Sequence, residues 1–92
     1  MRGFFYFSIM FTVYSIKSID RNYIYVGLTN DIGRRFNEHQ EGKNKTTAPY
    51  KPFVLIYQEN FPTRPEARKR EVYLKSGIGK EFLKQLPEDK AK

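Results

Sequence analysis

Ninety-two residues without a single cysteine describe one small domain and exclude a disulfide-stapled scaffold; the lack of cysteine also agrees with a reducing compartment. Seventeen Lys and Arg against ten Asp and Glu leave a formal charge of +7, which points to a polyanionic partner, most often nucleic acid, beside the plainer reading of a well-solvated surface. Seven Tyr and eight Phe give so short a chain a core rich in aromatic area.

In chain order, residues 3–16 are almost wholly apolar and follow Arg2, an arrangement that imitates a signal peptide. The run falls short of the ~20 residues needed to span a bilayer, no small-residue cleavage site follows it, and its Phe, Tyr, Ile, Val and Thr suit a strand. The expectation is a cytoplasmic chain without membrane association. Met10 is an alternative start, so residues 1–9 form a dispensable extension of a domain spanning 10–86. Residues 11–17 and 23–28 read as strands joined by polar turn material, a hairpin. Thr29, Asn30 and Asp31 are all N-cap types, so a helix follows to about Gln40 and stops at Gly42. Residues 43–51 make a basic loop containing Pro49, and Pro52 opens a third strand over 53–58. Thr63-Arg64-Pro65-Glu66 is a capping box with proline in the first turn. The helix it opens is expected to reach Ser76 and end at Gly77, with a short third helix over 80–86 and a disordered tail from 87 to 92. The order β-β-α-β-α-α implies a small α+β domain, a three-stranded and mainly antiparallel sheet flanked by helices.

Several side chains in this frame have chemical reach. On the second helix Ala67, Glu71, Leu74 and Ile78 fall on one stripe, which sets a carboxylate among core-facing positions. Such a group needs a partner or a metal ion, although Glu71 and Lys75 also read as an ordinary surface pair at i,i+4. On the first helix Ile32, Phe36 and His39 make a narrow apolar stripe, and Arg35 lies one turn from His39 at its edge. A guanidinium there suits phosphate oxygens and an imidazole suits proton transfer near neutral pH; an exposed Arg and a satisfied half-buried His are the bland alternative. Tyr14 and Tyr25 lie on adjacent strands, where tyrosine is common for packing alone. Gly27 reads either as a close backbone approach or as a strand terminator. Lys43, Lys45 and Lys51, with Tyr50, offer phosphate contacts and base stacking, or simply a solvated loop.

The order and spacing of these residues resemble the GIY-YIG nuclease family. Thr12-Val13-Tyr14 takes the place of its first motif, with Thr where the family name has Gly, and Tyr25-Val26-Gly27 takes the place of the second. The segment Gly27 to Arg35 is similar to the family's entry into the first helix. Ala67-Arg68-Lys69-Arg70-Glu71 is similar to the segment that bears its metal-binding Glu. Gly42, Thr47, Pro52, Leu55 and Tyr57 sit where a short stand-alone bacterial branch has equivalents, a branch similar to the nuclease half of the excision-repair incision subunit. The resemblance implies an endonuclease that hydrolyses DNA phosphodiesters with one Mg²⁺ or Mn²⁺ at Glu71. It implies Arg35 on the phosphate, Tyr14 or His39 as general base, Tyr25 in support, and a 5′-phosphate product. Single-stranded or structured DNA is the expected substrate in repair or DNA processing, with RNA as an alternative partner, no small-molecule cofactor, and a monomer or weak dimer. An inactive nucleic-acid-binding module of the same fold and a subunit of a larger assembly are the rival readings.

Overall fold

The structure is a computed structural model that describes residues 10–86; the expected extension over 1–9 and the expected tail over 87–92 lie outside the described residues. Three strands, β1 (Phe11–Ser18), β2 (Ile24–Thr29) and β3 (Phe53–Phe61), alternate with α1 (Ile32–Gln40), α2 (Arg64–Lys75) and α3 (Gly77–Lys84) in the order β1-β2-α1-β3-α2-α3. The sheet runs β2-β1-β3 and both pairings are antiparallel. This is the α+β architecture that the alternating apolar pattern and the cap residues imply.

β1 is the central strand, and its side chains alternate between two covered faces. Val13 points to one face, where Val26, Ile56, Ala67, Leu74 and Leu83 join it under α2 and α3. Tyr14 and Ile16 point to the other, with Phe53, and pack there against Ile32 and Phe36 of α1. Burial on both faces matches a strand whose bulky Val13, Tyr14 and Ile16 fall on both sides and whose polar Thr12 and Ser15 are buried with them. The register sets Tyr14 opposite Gly27 on β2 and opposite Gln58 on β3, and an irregularity falls beside it, between Ser15 and Ile16.

The helices begin where their cap residues predict. Asp31 accepts a hydrogen bond from the Arg34 amide at the start of α1, and Thr63 accepts one from the Glu66 amide at the start of α2. Beyond the end of α1, Gly42 takes a φ of +77°, the left-handed conformation that favours glycine at this position. The Gln40 side chain then ties α1 to the sheet. It donates to the Phe53 carbonyl at 3.1 Å and accepts from the Phe53 amide at 2.7 Å, which continues the ladder with a side-chain amide. Arg70 ties α2 to β3 by donating to the Tyr57 hydroxyl at 3.1 Å and pairing with Glu59 at 3.2 Å.

The boundary between the last two helices differs from expectation. Ser76 caps both, as the extended residue that ends α2 and as the side chain that accepts from the Gly79 amide to open α3. Gly77 therefore begins α3, and Ile78, expected on the buried stripe of α2, belongs to the next helix and is 72 % exposed. Ser76 outweighs Gly77 because its hydroxyl satisfies an otherwise orphaned amide. Gly79 is the glycine that packing requires here, since a Cβ there would overlap the Tyr73 carbonyl and the Leu74 backbone. β3 also runs three residues past the expected Gln58, because Glu59, Asn60 and Phe61 remain paired with Val13, Thr12 and Phe11. No helix among the described residues is long and apolar enough to cross a membrane.

Candidate functional site

The centre of the site is the Tyr14 phenol. Tyr14 lies across Gly27, where any Cβ would stand 2.5 Å from the Tyr14 hydroxyl. Gly27 thus sits inside β2 as a close approach rather than as a terminator. In that space the hydroxyl meets His39 Nε2 at 2.8 Å, and His39 Nδ1 meets the Thr47 hydroxyl at 2.8 Å. The chain from β1 through α1 to the loop after it is fully enclosed: Tyr14 is 1 % exposed, and His39 and Thr47 are 0 % exposed. Buried polar groups of this kind must be satisfied by one another. One assignment that satisfies the chain has Tyr14 donating to Nε2 and Nδ1–H donating to Thr47; the other tautomer reverses both bonds, since each hydroxyl can donate or accept. Tyr25 closes the aromatic wall, with its ring 6.3 Å from Tyr14 and 5.2 Å from His39.

Burial sets the protonation states. Removal from water pushes the Tyr14 phenol far above its ordinary value, assisted by Tyr25 and by the carboxylates of Glu71 and Glu38 and opposed by Arg35. Burial and then the nearby Arg35 guanidinium pull His39 below its ordinary value. Near neutral pH the pair is therefore a neutral phenol beside a neutral imidazole.

Arg35 projects from α1 one turn before His39. Its Nε is buried with no hydrogen-bond partner, and Glu38 Oε1 stands 3.4 Å away, in ion-pair reach. A buried guanidinium N–H without an acceptor is well disposed to donate to an anionic oxygen. Arg34, its neighbour in sequence, is more exposed and pairs with the other oxygen of Glu38 at 3.0 Å and with Asp31 at 3.7 Å.

Glu71 occupies the turn of α2 between Ala67 and Leu74, both fully buried, and its side chain is 8 % exposed. Arg68 holds one carboxylate oxygen at 3.1 Å and Lys75 holds the other at 3.1 Å. Both readings of the sequence therefore meet here, because the carboxylate is buried and also forms the i,i+4 pair. No group of three or more His, Asp or Glu side chains suited to an ion occurs among the described residues. The donor set fits an ion held by one carboxylate and otherwise by water, as Mg²⁺ accepts, and does not fit a cage of protein ligands.

The basic loop lies on the α1 side. Lys43 pairs with Glu41 at 3.2 Å, Lys45 is exposed, and the Lys51 ammonium lies over Gly42. Tyr50, expected to stack on a base, stacks instead on Tyr23 with ring centroids 3.8 Å apart and an angle of 6°. The Ser18 hydroxyl donates to the Tyr50 carbonyl at 2.6 Å, so Tyr50 anchors the loop to the β1–β2 hairpin. Thr47 and Glu38 were absent from the candidate set drawn from the sequence. A buried threonine in a polar loop has no periodic neighbours to mark it, and Glu38 sits on a stripe that reads as plain surface. Thr47 lies in the segment that carries the family resemblance, and that was its one available signal.

Comparison with known proteins places the domain as a whole. Residues 10–82 match the model of the GIY-YIG catalytic domain. A UPF0213 protein of Staphylococcus haemolyticus is 38 % identical over 77 residues, covering 83 % of this chain and 93 % of its own length. One from Vibrio parahaemolyticus is 40 % identical over 81 residues, covering 87 % and 74 %. The solution NMR structure of a UPF0213 protein from Bacillus halodurans matches with a TM-score of 0.50 at 35 % identity, over 80 % of this chain and 81 % of that one. A match of this extent to a family of nuclease domains implies an endonuclease-type function and a nucleic-acid substrate.

Proposed function

We propose, from the premise that this chain belongs to the GIY-YIG catalytic domain family, that it is a divalent-metal-dependent endonuclease that hydrolyses DNA phosphodiesters. The observation that carries the reading is the convergence on one phenol. Tyr14 lies over Gly27, is hydrogen-bonded to His39 one helical turn from Arg35, and has the Tyr25 ring beside it.

Each residue then has a role that its surroundings support. Arg35 binds a non-bridging phosphate oxygen through its unsatisfied N–H and offsets charge as the transition state forms. Tyr14 orients the attacking water. A stored phenolate does not suit a phenol whose affinity for its proton is raised by burial, so the proton is passed through. Water gives a proton to the Tyr14 oxygen as the phenol gives its own to His39 Nε2. The hydroxide attacks phosphorus, the bond to the 3′-oxygen breaks, and that oxygen takes a proton from water, leaving a 5′-phosphate and a 3′-hydroxyl. His39 Nε2 is engaged by the Tyr14 hydroxyl and Nδ1 by Thr47, so it acts through Tyr14, and the two form one base rather than rivals. Thr47 holds the imidazole ring in place through Nδ1, and Tyr25 supports the water or phosphate. Glu71 would hold Mg²⁺ or Mn²⁺, which supplies Lewis-acid stabilisation of the phosphate and leaving oxygen. Lys43, Lys45 and Lys51 steer phosphates towards the site, with Tyr50 holding their loop in place. The basic surface supports electrostatic, weakly sequence-dependent binding, suited to single-stranded or structured DNA in repair or processing. We place the chain in the cytoplasm as a monomer or weak dimer.

The near-complete burial of Tyr14 and His39 favours a second reading, a nucleic-acid-binding module in which the Tyr14–His39–Thr47 chain is purely structural. A panel of labelled single-stranded, duplex and branched DNA, with RNA counterparts, incubated with Mg²⁺, Mn²⁺ or chelator separates the two. The nuclease reading predicts cleavage only with metal, yielding 5′-phosphate ends. Tight binding with no cleavage under any metal supports the module.

A further inference from the structure

Glu71 is enclosed on α2 by Ala67 and Leu74, and its two carboxylate oxygens face two different cations. Arg68 takes Oε1 and Lys75 takes Oε2, each at 3.1 Å. The two cations are unlike the acid they hold, with side chains 66 % and 51 % exposed against 8 % for Glu71. Both cations lie largely in solvent, and Glu71 is the only ion-pair partner of either among the described residues. Exposed cations on flexible stems hold such a partner weakly and leave it easily.

We infer that Arg68 and Lys75 are exchangeable counter-ions, neutralising Glu71 in the free protein and moving onto phosphates of the bound strand when a divalent ion takes the carboxylate. The inference rests on the nuclease reading of this same site. A doubly charged ion at Glu71 repels both cations and removes their partner. The displaced side chains are exposed, positively charged and set on either side of the carboxylate. Seven residues separate them, roughly 10 Å along the helix axis at ~1.5 Å per residue, so they flank the position of a phosphate held at Glu71. The nearest nucleic-acid phosphates are then their natural partners, Arg68 through a guanidinium fork and Lys75 through a point charge. In the free protein the same two pairs keep the buried carboxylate satisfied until an ion arrives.

The consequence is coupling between metal and nucleic acid, which by linkage must be reciprocal. Affinity for a fluorescein-labelled single-stranded DNA 15-mer, followed by anisotropy with the full chain at fixed ionic strength, is measured in EDTA and in Ca²⁺. Ca²⁺ affinity without DNA is measured by calorimetry on the same preparations. In the wild type, Ca²⁺ tightens DNA binding by about fivefold or more, the low end of usual allosteric couplings. In Arg68→Gln/Lys75→Gln, Ca²⁺ binds more tightly without DNA, DNA affinity in EDTA stays near wild type because both cations were engaged by Glu71, and the Ca²⁺ enhancement falls below about twofold. In Lys69→Gln/Lys84→Gln, which removes the same charge from α2 and α3 away from Glu71, DNA binding weakens equally with and without Ca²⁺ and the enhancement survives. Loss of the enhancement in this control, or its retention in Arg68→Gln/Lys75→Gln, overturns the exchange. Mg²⁺-dependent cleavage by the wild type, run in parallel, separates the two layers. Cleavage without any Ca²⁺ enhancement refutes the exchange and leaves the nuclease reading standing, whereas no cleavage under any metal removes both.

Discussion

On the α2–α3 face of the sheet, Val13, Val26, Ile56, Ala67, Leu74 and Leu83 close a core of aliphatic side chains. On the α1 face, Tyr14 packs with Ile16 and Phe53, but its hydroxyl begins the buried chain to His39 and Thr47. The first face stabilises by area removed from water, and many side chains of the right volume serve it. The second stabilises only if every member of the chain is present, because a half-satisfied buried network is worse than an apolar one. The difference separates two demands on the same strand. β1 alternates residue by residue between the side that holds the domain together and the side that holds the polar chain.

Substitutions on each face can break or sharpen that division. Leu74→Ala, a core truncation, is expected to lose about 2–5 kcal/mol of stability, which in a domain this size lowers Tm by about ten degrees or more. Cleavage per folded molecule, assayed well below the new melting point, should change little. Arg35→Ala is the converse, with cleavage reduced by at least about a hundredfold, ~2.7 kcal/mol of barrier, and a Tm close to wild type. Arg34→Ala is its control. The loss of an exposed pair with Glu38 costs roughly 0.5 kcal/mol or less, and a normal rate is expected. A critical Arg34 would contradict the helix register that directs Arg35 to the phenol.

A smaller effect is expected from the polar chain itself. Burial holds His39 below its ordinary value of 6.5 in the folded state, so the unfolded chain takes up a proton first as the pH falls. Stability is then complete above about pH 6.5 and declines below it, by at most ~1.4 kcal/mol per pH unit from this one group. Melting curves from pH 7.5 to 5 should show a shallower acid slope in His39→Gln than in the wild type. An unchanged slope would mean that the imidazole is protonated without penalty and is not enclosed by Tyr14 and Thr47.

Most of the frame was legible because local signals and burial agreed. Asp31 and Thr63 are strong caps, and the apolar run of β1 belongs to a strand covered on both faces. The failures have physical causes. Ser76-Gly77 carries two boundary signals in adjacent residues, and the pattern alone did not show that the serine would act for both helices, so Ile78 was assigned to the core. Tyr50 and Tyr23 are 27 positions apart in sequence, and their stacking depends on how the loop folds back over the hairpin. The resemblance singled out Tyr14, Tyr25, Arg35, His39 and Glu71, but no spacing rule reveals that Tyr14 and His39 share a hydrogen bond or that Thr47 completes it. Those contacts arise from packing α1 against β1, with Gly27 making the room.

The central claim is that Glu71 serves as an ion-binding carboxylate of a nuclease site rather than as a surface pair. Cleavage and melting of the wild type and Glu71→Gln, measured on the same samples across a Mg²⁺ titration, test it most directly. The account predicts that the variant loses metal-dependent cleavage and any Mg²⁺-induced rise in Tm while its metal-free Tm stays within a few degrees of wild type, since relief from desolvating a carboxylate offsets two pairs with exposed cations. Wild-type cleavage by Glu71→Gln, with only the ~0.3–0.5 kcal/mol loss of an ordinary helix pair, would contradict it.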